Sequence, residues 1–281
     1  MHILPRSLLA GALALVAATA AAGDIWRMSA LSDPVSPQTP TTFLDLARAV
    51  VPDLEATSGG WRGNTIAPTM AEELDVDEAW PEGLQVSKAE VMHLAGEKAV
   101  IIFLDFGEPD GQPDAPASLA LYTLAGETPV LGDIVNVGLD RQTGISGDTR
   151  LVDDRTALIV IDNTHSNSSQ HYRITSLYLA TPEELLHVDD VFTFSESLCG
   201  LWRQQQTGVS VKDAVPSGKP AIYVEVSLHD DPKEGDECAE PIAVIADRTI
   251  GVTYTWSEKT KSYQPDSDAL QMLAEENERR F

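Results

Sequence analysis

The feature that most constrains the fold of this chain is a change in the pattern of apolar residues near residue 90. From that point, short apolar runs rich in β-branched and aromatic residues alternate with polar loops, as in AVIIFLDF and TALIVID. Runs of this length and composition, separated by turn-forming residues, predict strands rather than helices. The sequence therefore predicts a mainly β protein built from antiparallel strands.

The apolar runs form three successive sets, each with three runs, and a fourth strand of the first set is predicted at Val91 to Leu94. The sets comprise 100–104, 119–124 and 134–137; then 157–161, 174–179 and 191–194; and then 221–226, 242–245 and 252–256. This spacing indicates antiparallel meander units, either propeller-like or arranged as a layered sheet or sandwich. Any all-β chain can also be divided into such triplets without a true repeat. Because most runs are apolar on consecutive positions, we expect sheets covered on both faces.

Helices are predicted on either side of the β region. Thr42 precedes an amphipathic stretch that ends at Pro52, and a proline begins a short helix over 68–74. The apolar spacing of residues 269–274 predicts a last, C-terminal helix. The predicted organisation is a signal peptide (1–22), a flexible leader (23–41), a helical or irregular segment (42–84), a β domain of meander units (85–264) and a C-terminal helix (265–281).

The first residues have the composition of a signal peptide. Arg6 precedes an apolar, Ala- and Leu-rich stretch over 8–21, and Ala20 and Ala22 satisfy the small-residue rule for cleavage before Gly23. The stretch is short and alanine-rich for a membrane span, although an uncleaved anchor is the alternative. We therefore expect an exported protein, periplasmic or secreted, with no membrane span after cleavage.

The charge balance excludes some classes of partner. The chain has 44 acidic and 19 basic side chains, which give a formal net charge of −25. Nucleic acids and anionic lipids bind through clustered lysine and arginine, so we expect neither as a partner. With 43% hydrophobic residues the chain can still bury a core.

The two cysteines, Cys199 and Cys238, predict one structural disulfide, because an even pair in an exported protein is usually oxidised. Closing a loop of about 40 residues would stabilise the fold by roughly 3–4 kcal/mol. A metal pair and a catalytic thiol are the alternatives, but the spacing and the absence of a histidine nearby in sequence favour neither.

An acidic loop after the first apolar run is the candidate metal site. Glu108, Asp110 and Asp114 surround a glycine turn, and Ca²⁺ binds about six to eight oxygens of this kind. The D-G-x-x-D spacing resembles the calcium loops of integrin-type propeller blades, although Phe106 stands where their first aspartate belongs and Glu108 replaces the second. The resemblance implies a Ca²⁺ site, and a solvated acidic hairpin loop is the alternative.

The corresponding loop of the second set is neutral and holds the candidate ligand-binding residues. His165 and His171 frame it, and Asn167 and Gln170 lie between them. These groups both donate and accept hydrogen bonds, so the loop could bind a polar ligand such as a sugar, or the two histidines could bind one transition metal. The alternative is a hairpin loop whose Asx and Ser groups satisfy one another.

Trp202 begins the stretch WRQQQ and is a candidate residue for sugar stacking or peptide binding. Packing of this tryptophan against the predicted disulfide is the alternative.

Catalytic motifs of the familiar classes do not occur in the sequence, including G-x-S-x-G, H-E-x-x-H, Walker A and G-x-G-x-x-G. We therefore expect a non-enzymatic binding or accessory protein of the cell envelope, with a cation, a glycan or another envelope protein as its ligand. The alternatives are a glycosidase-like hydrolase that uses scattered carboxylates and a structural or inhibitory protein that presents an acidic face.

Overall fold

The computed structural model describes residues 29–36, 39–58, 60–76, 79–86, 88–94, 98–107, 116–124, 128–153, 155–198, 200–214, 219–232 and 247–280. The predicted signal peptide, the predicted Cys199–Cys238 disulfide and the candidate calcium ligands Glu108, Asp110 and Asp114 lie outside the described residues. The apolar run over 242–245 also lies outside them. These features therefore stay predictions.

The prediction of a mainly β, antiparallel protein with helices on either side is confirmed. In chain order the elements are α1 (Phe43–Ala47), β1 (Glu55–Thr57), β2 (Gly60–Thr65), α2 (Pro68–Leu74), β3 (Ala79–Val86), β4 (Lys88–Leu94), β5 (Ala99–Asp105), β6 (Ala117–Thr123), β7 (Val130–Asn136), β8 (Gln142–Ile145), β9 (Arg150–Leu151), β10 (Ala157–Ser166), β11 (Gln170–Ala180), β12 (Leu185–Leu198), β13 (Leu201–Ala214), β14 (Pro220–Pro232), β15 (Arg248–Ser257), β16 (Ser262–Pro265) and α3 (Ala269–Glu278).

The helix ends follow local capping chemistry. Thr42 caps α1 through a capping box with Asp45, in which each side chain bonds the other residue's backbone N–H. α1 ends at Ala47, before Pro52, which was expected to terminate it. Pro68 occupies the first turn of α2, where its missing N–H costs nothing, and α2 ends at Asp75 in the left-handed conformation.

The strands β1, β2 and β3 form a three-stranded antiparallel sheet in the segment that the sequence predicted as helical or irregular. The first two strands read EAT and GWRGNT, which lack the apolar runs that mark the later strands. Their side chains are mostly exposed or half-buried. The sequence therefore has no periodic apolar pattern here that would predict strands.

The strands β4 to β7 form a four-stranded antiparallel sheet that contains the first predicted set and its predicted fourth strand. Every residue of β5 is buried. One face of the sheet packs with α1 and α2 through Val100 and Ile102, and the hydroxyl of Tyr122 donates to the carbonyl of Leu46 at 2.8 Å. The other face packs through Ile101 against β10 and β11. The expectation that this sheet is covered on both faces is therefore confirmed.

The second set and the two described runs of the third, 221–226 and 252–256, belong to one nine-stranded antiparallel sheet, ordered β16-β15-β14-β13-β12-β11-β10-β8, with β9 also paired to β10. The strand β13, which was not among the predicted runs, joins the two sets. Its polar stretch WRQQQ alternates buried and exposed positions rather than forming an apolar run. A second core lies between β10 to β12 on one side and β13 to β15 on the other, and α3 contributes Leu270 and Leu273 to it.

The nine-stranded sheet divides between β12 and β13. These strands are each 14 residues long, but they pair only at three positions, from Glu196–Arg203 to Leu198–Leu201. Where they diverge, the side-chain amide of Gln205 accepts the backbone N–H of Phe194 at 3.2 Å. The amide of Asn277 in α3 exchanges two hydrogen bonds with Gln205, at 2.7 and 2.9 Å. The helix thereby fills the gap between the diverging strands.

A buried ion cluster holds the paired end of β12 and β13. The guanidinium of Arg203, whose side chain is 1% exposed, binds both carboxylate oxygens of Asp230 at 2.7 Å. It also contacts Glu196 at 3.4 Å, and Glu196 in turn accepts from Arg280 at 2.9 Å. The cluster therefore ties β12, β13, β14 and the end of α3 together.

We predict that Asp230→Ala destabilises the fold by about 3–5 kcal/mol, because it leaves the buried guanidinium of Arg203 without its bidentate partner. Urea unfolding, followed by circular dichroism, measures the change. The control is Asp231→Ala, which removes the neighbouring carboxylate that pairs with the exposed His229 and should cost less than about 1 kcal/mol. Equal effects of the two variants would show that the buried cluster contributes no special stability.

Candidate functional site

The tip of the β10–β11 hairpin holds the four predicted ligand-binding residues. The side-chain oxygen of Asn167 accepts the backbone N–H groups of Ser169 and Gln170, at 3.0 and 2.9 Å, which closes an Asx-type turn. The amide nitrogen of Asn167 donates to Gln170 Oε1 at 2.8 Å, and the hydroxyl of Tyr172 donates to the same oxygen at 2.6 Å. Asn167 and Gln170 therefore hold the shape of the turn.

The two histidines point to opposite faces of the sheet. His165 pairs with Tyr172 across the hairpin and Ser166 pairs with His171, and neighbouring positions on a strand face opposite ways. His165 donates from Nδ1 to the carboxylate of Asp140 at 2.6 Å and stacks on the ring of Tyr172, with 4.2 Å between centroids. The structure therefore does not bring the two imidazoles together as ligands of one metal ion.

A shallow groove of about 220 Å³ runs beside the hairpin tip. Its described lining comprises residues 166–171 of the hairpin together with Ser195, Glu196, Ser197 and Trp202. Three of the four predicted ligand-binding residues, Asn167, Gln170 and His171, therefore line one concave surface, whereas His165 does not.

Strand register explains how this lining comes together. Ser166 lies opposite His171, and His171 lies opposite Ser195 on β12. Ser197, two residues further along β12, lies opposite Trp202 on β13. Because side chains two apart on a strand share a face, these five side chains occupy one face at the end of the sheet.

Trp202 lies at the rim of the groove with 50% of its surface exposed. Large hydrophobic residues with this exposure are few among the described residues, and Trp202 is the only aromatic one of them. The indole therefore presents an apolar surface to solvent directly beside hydroxyl, amide and imidazole groups.

The groove has little negative charge of its own. Glu196 is the one carboxylate in the described lining, and it is buried in the ion cluster with Arg203 and Arg280. Burial lowers the pKa of His171, and the charges of Arg173 and His165 lower it further. His171 is therefore neutral near pH 7, with Nδ1 bonded to the hydroxyl of Ser166 at 2.7 Å.

Ser195 and Ser197 are lining residues that the sequence analysis missed. Both belong to β12, where the pattern SES reads as the polar end of a strand. Nothing in the sequence states that β12 lies beside the tip of the preceding hairpin, so no signal in the sequence could have found them.

No group of three or more histidine, cysteine, aspartate and glutamate side chains in the described part of the chain is arranged to hold a metal ion. Among the helices described above, none is long and apolar enough to cross a membrane.

No protein family, no curated protein and no solved structure was found to match this chain.

We predict that His171 titrates below the usual histidine pKa of about 6.5 and that His187 titrates above it. A hydrogen bond to Asp190 is the main cause that raises the pKa of His187, whereas burial is the main cause that lowers the pKa of His171. Imidazole NMR titration from pH 5 to 8 measures both, and His171→Gln and His187→Gln assign the signals.

The two shifts act on stability in opposite directions. Protonation of His171 costs stability as the pH falls below about 6.5, because the unfolded chain binds that proton more tightly. His187 contributes stability below that pH and loses it as the pH rises through its raised pKa. A reversed order of titration would show that burial is not the dominant influence on the pKa of His171.

Proposed function

We propose that this protein is a non-enzymatic carbohydrate-binding protein, an accessory protein of the cell envelope, and that the groove beside the β10–β11 tip is its binding site. The observation that supports this proposal best is the half-exposed indole of Trp202 at the rim of a groove lined by hydroxyl, amide and imidazole groups. Export to the envelope rests on the signal-peptide pattern in the sequence alone.

Trp202 provides the apolar half of the recognition. A pyranose ring has faces made of C–H groups and an edge made of hydroxyls, so it needs an apolar plane and polar groups side by side. An exposed indole is a rigid, flat surface of this kind and loses little conformational freedom on binding. A lone exposed tryptophan would not specify a ligand class, but this one adjoins Ser197 and Ser195.

The hairpin tip provides the polar half. Ser166, Ser168 and Ser169 carry hydroxyls that both donate and accept, which suits the hydroxyls of a sugar. The bonds between Asn167, Gln170 and the turn backbone fix the tip before any ligand arrives. Such preorganisation reduces the entropy cost of binding.

The shape of the groove supports weak rather than tight binding. A shallow concave site buries only part of a ligand, and polar groups already hydrated by water gain little from changing partners. We therefore expect dissociation constants for single oligosaccharides on the order of 10 μM to 1 mM.

We predict that Trp202→Ala lowers the affinity for a bound oligosaccharide by about tenfold or more, since the stacking surface contributes on the order of 1 kcal/mol or more. Trp202→Phe should keep part of the affinity because a smaller aromatic plane remains. A glycan array with the labelled protein identifies the ligand, and calorimetry with that ligand measures the affinities.

The matched control for Trp202→Phe is Trp256→Phe. Trp256 packs against Tyr263, and its substitution should leave the affinity unchanged. The proposal fails if no oligosaccharide binds the protein at millimolar concentration. It also fails if Trp202→Ala binds as tightly as the unaltered protein.

A further inference from the structure

Arg173, next to the groove, has no carboxylate partner among the described residues. The Nε atom of Arg173 is buried and makes no hydrogen bond, and the guanidinium forms no ion pair with any residue in the described part of the chain. Arg203, Arg155 and Arg248, by contrast, each form an ion pair with a carboxylate. With 44 acidic against 19 basic side chains, a half-buried, unpaired guanidinium is unexpected.

Arg173 lies on the same face of the sheet as the groove. It follows His171 by two positions on β11, so the two side chains share a face, with Cα atoms about 6.6–6.8 Å apart. Thr164 on β10 and Thr193 on β12 lie opposite Arg173, so one threonine flanks it on each side. The charge of Arg173 also contributes to lowering the pKa of His171.

The described carboxylates around Arg173 are engaged elsewhere. Asp162 on β10 lies on the same face, two residues before Thr164. Its carboxylate accepts the hydroxyl of Thr175 at 3.0 Å. Glu196 belongs to the neighbouring position of β12 that faces the opposite way, inside the ion cluster with Arg203. Neither of these two carboxylates therefore forms an ion pair with Arg173.

We infer that the carbohydrate bound in the groove is acidic and that its carboxylate binds the guanidinium of Arg173. This inference rests on the function proposed above. A guanidinium presents two parallel N–H groups that match the two oxygens of a carboxylate, so one uronic acid unit can satisfy it while a neighbouring unit stacks on Trp202. The neutral imidazole of His171 lies between these two contacts and can bond a ring hydroxyl.

The test compares acidic trisaccharides with their carboxyl-reduced counterparts, in which each carboxylate becomes an uncharged CH₂OH group. The probes are trisaccharides of galacturonic, glucuronic and mannuronic acid, measured by calorimetry at about 0.15 M salt. We expect at least one acidic trisaccharide to bind about tenfold or more tightly than its reduced form, as a charge-assisted pair requires. Arg173→Gln should remove this preference by lowering the affinity for the acidic form much more than the affinity for the reduced form.

The control variant is Arg155→Gln, which removes the same charge at an exposed arginine paired with Glu183 and should keep the preference. Equal binding of acidic and reduced trisaccharides would overturn the acidic ligand but leave a carbohydrate site that depends on Trp202. If Arg173→Gln still prefers the acidic form, the ligand carboxylate does not bind Arg173, and the inference is also overturned. Failure of every acidic trisaccharide to bind would overturn this inference, whereas binding of neutral oligosaccharides on the glycan array decides the proposed function separately.

Discussion

The bidentate ion pair between Arg203 and Asp230 is the interaction on which the arrangement of the long sheet depends. It lies where β12 and β13 make their few shared backbone contacts, beside the point at which the two strands separate. Two charges removed from water stabilise a fold only if each is well paired, and here Glu196 and Arg280 complete the set. The cluster also fixes the position of Trp202 at the groove rim, because Trp202 directly precedes Arg203 on β13.

The separation of β12 and β13 would otherwise leave backbone groups without partners. An unpaired N–H inside a protein costs free energy comparable to a lost hydrogen bond. At Phe194 the side-chain oxygen of Gln205 accepts the backbone N–H that a neighbouring strand would otherwise accept. The side chain of Asn277 bonds both the amide nitrogen and the amide oxygen of Gln205. A side-chain amide can do this because it carries the same donor and acceptor groups as the backbone.

The strands of the four-stranded sheet were predictable because burial on both faces leaves a continuous apolar run, as β5 shows. The strand β13 was not, because one of its faces is mostly polar and the other buries Arg203 and Gln205 between the apolar Leu201 and Val209. In the same way, Asn277 continues the buried stripe of Leu270 and Leu273 at helical spacing. Hydropathy alone cannot distinguish such an asparagine from one that faces water.

The candidate site shows a similar limit. The neutral hairpin loop could be identified in the sequence because its neighbours are so acidic, and Trp202 was identified by residue type. That these two features adjoin, that His165 faces away from His171 and that Arg173 shares the sheet face of His171 all follow from strand register. Register depends on which residues pair across the sheet, and a single sequence does not state this.

The position of α3 in the chain has a consequence for how the protein assembles. The helix follows every strand that it covers, so during synthesis the nine-stranded sheet emerges before the amide of Asn277 is present. Until then, the strands β12 and β13 lack the side-chain bonds of Asn277 at the point where they diverge, and unpaired strand edges can pair with other strands. We therefore expect this part of the sheet to be complete only after the last helix has docked.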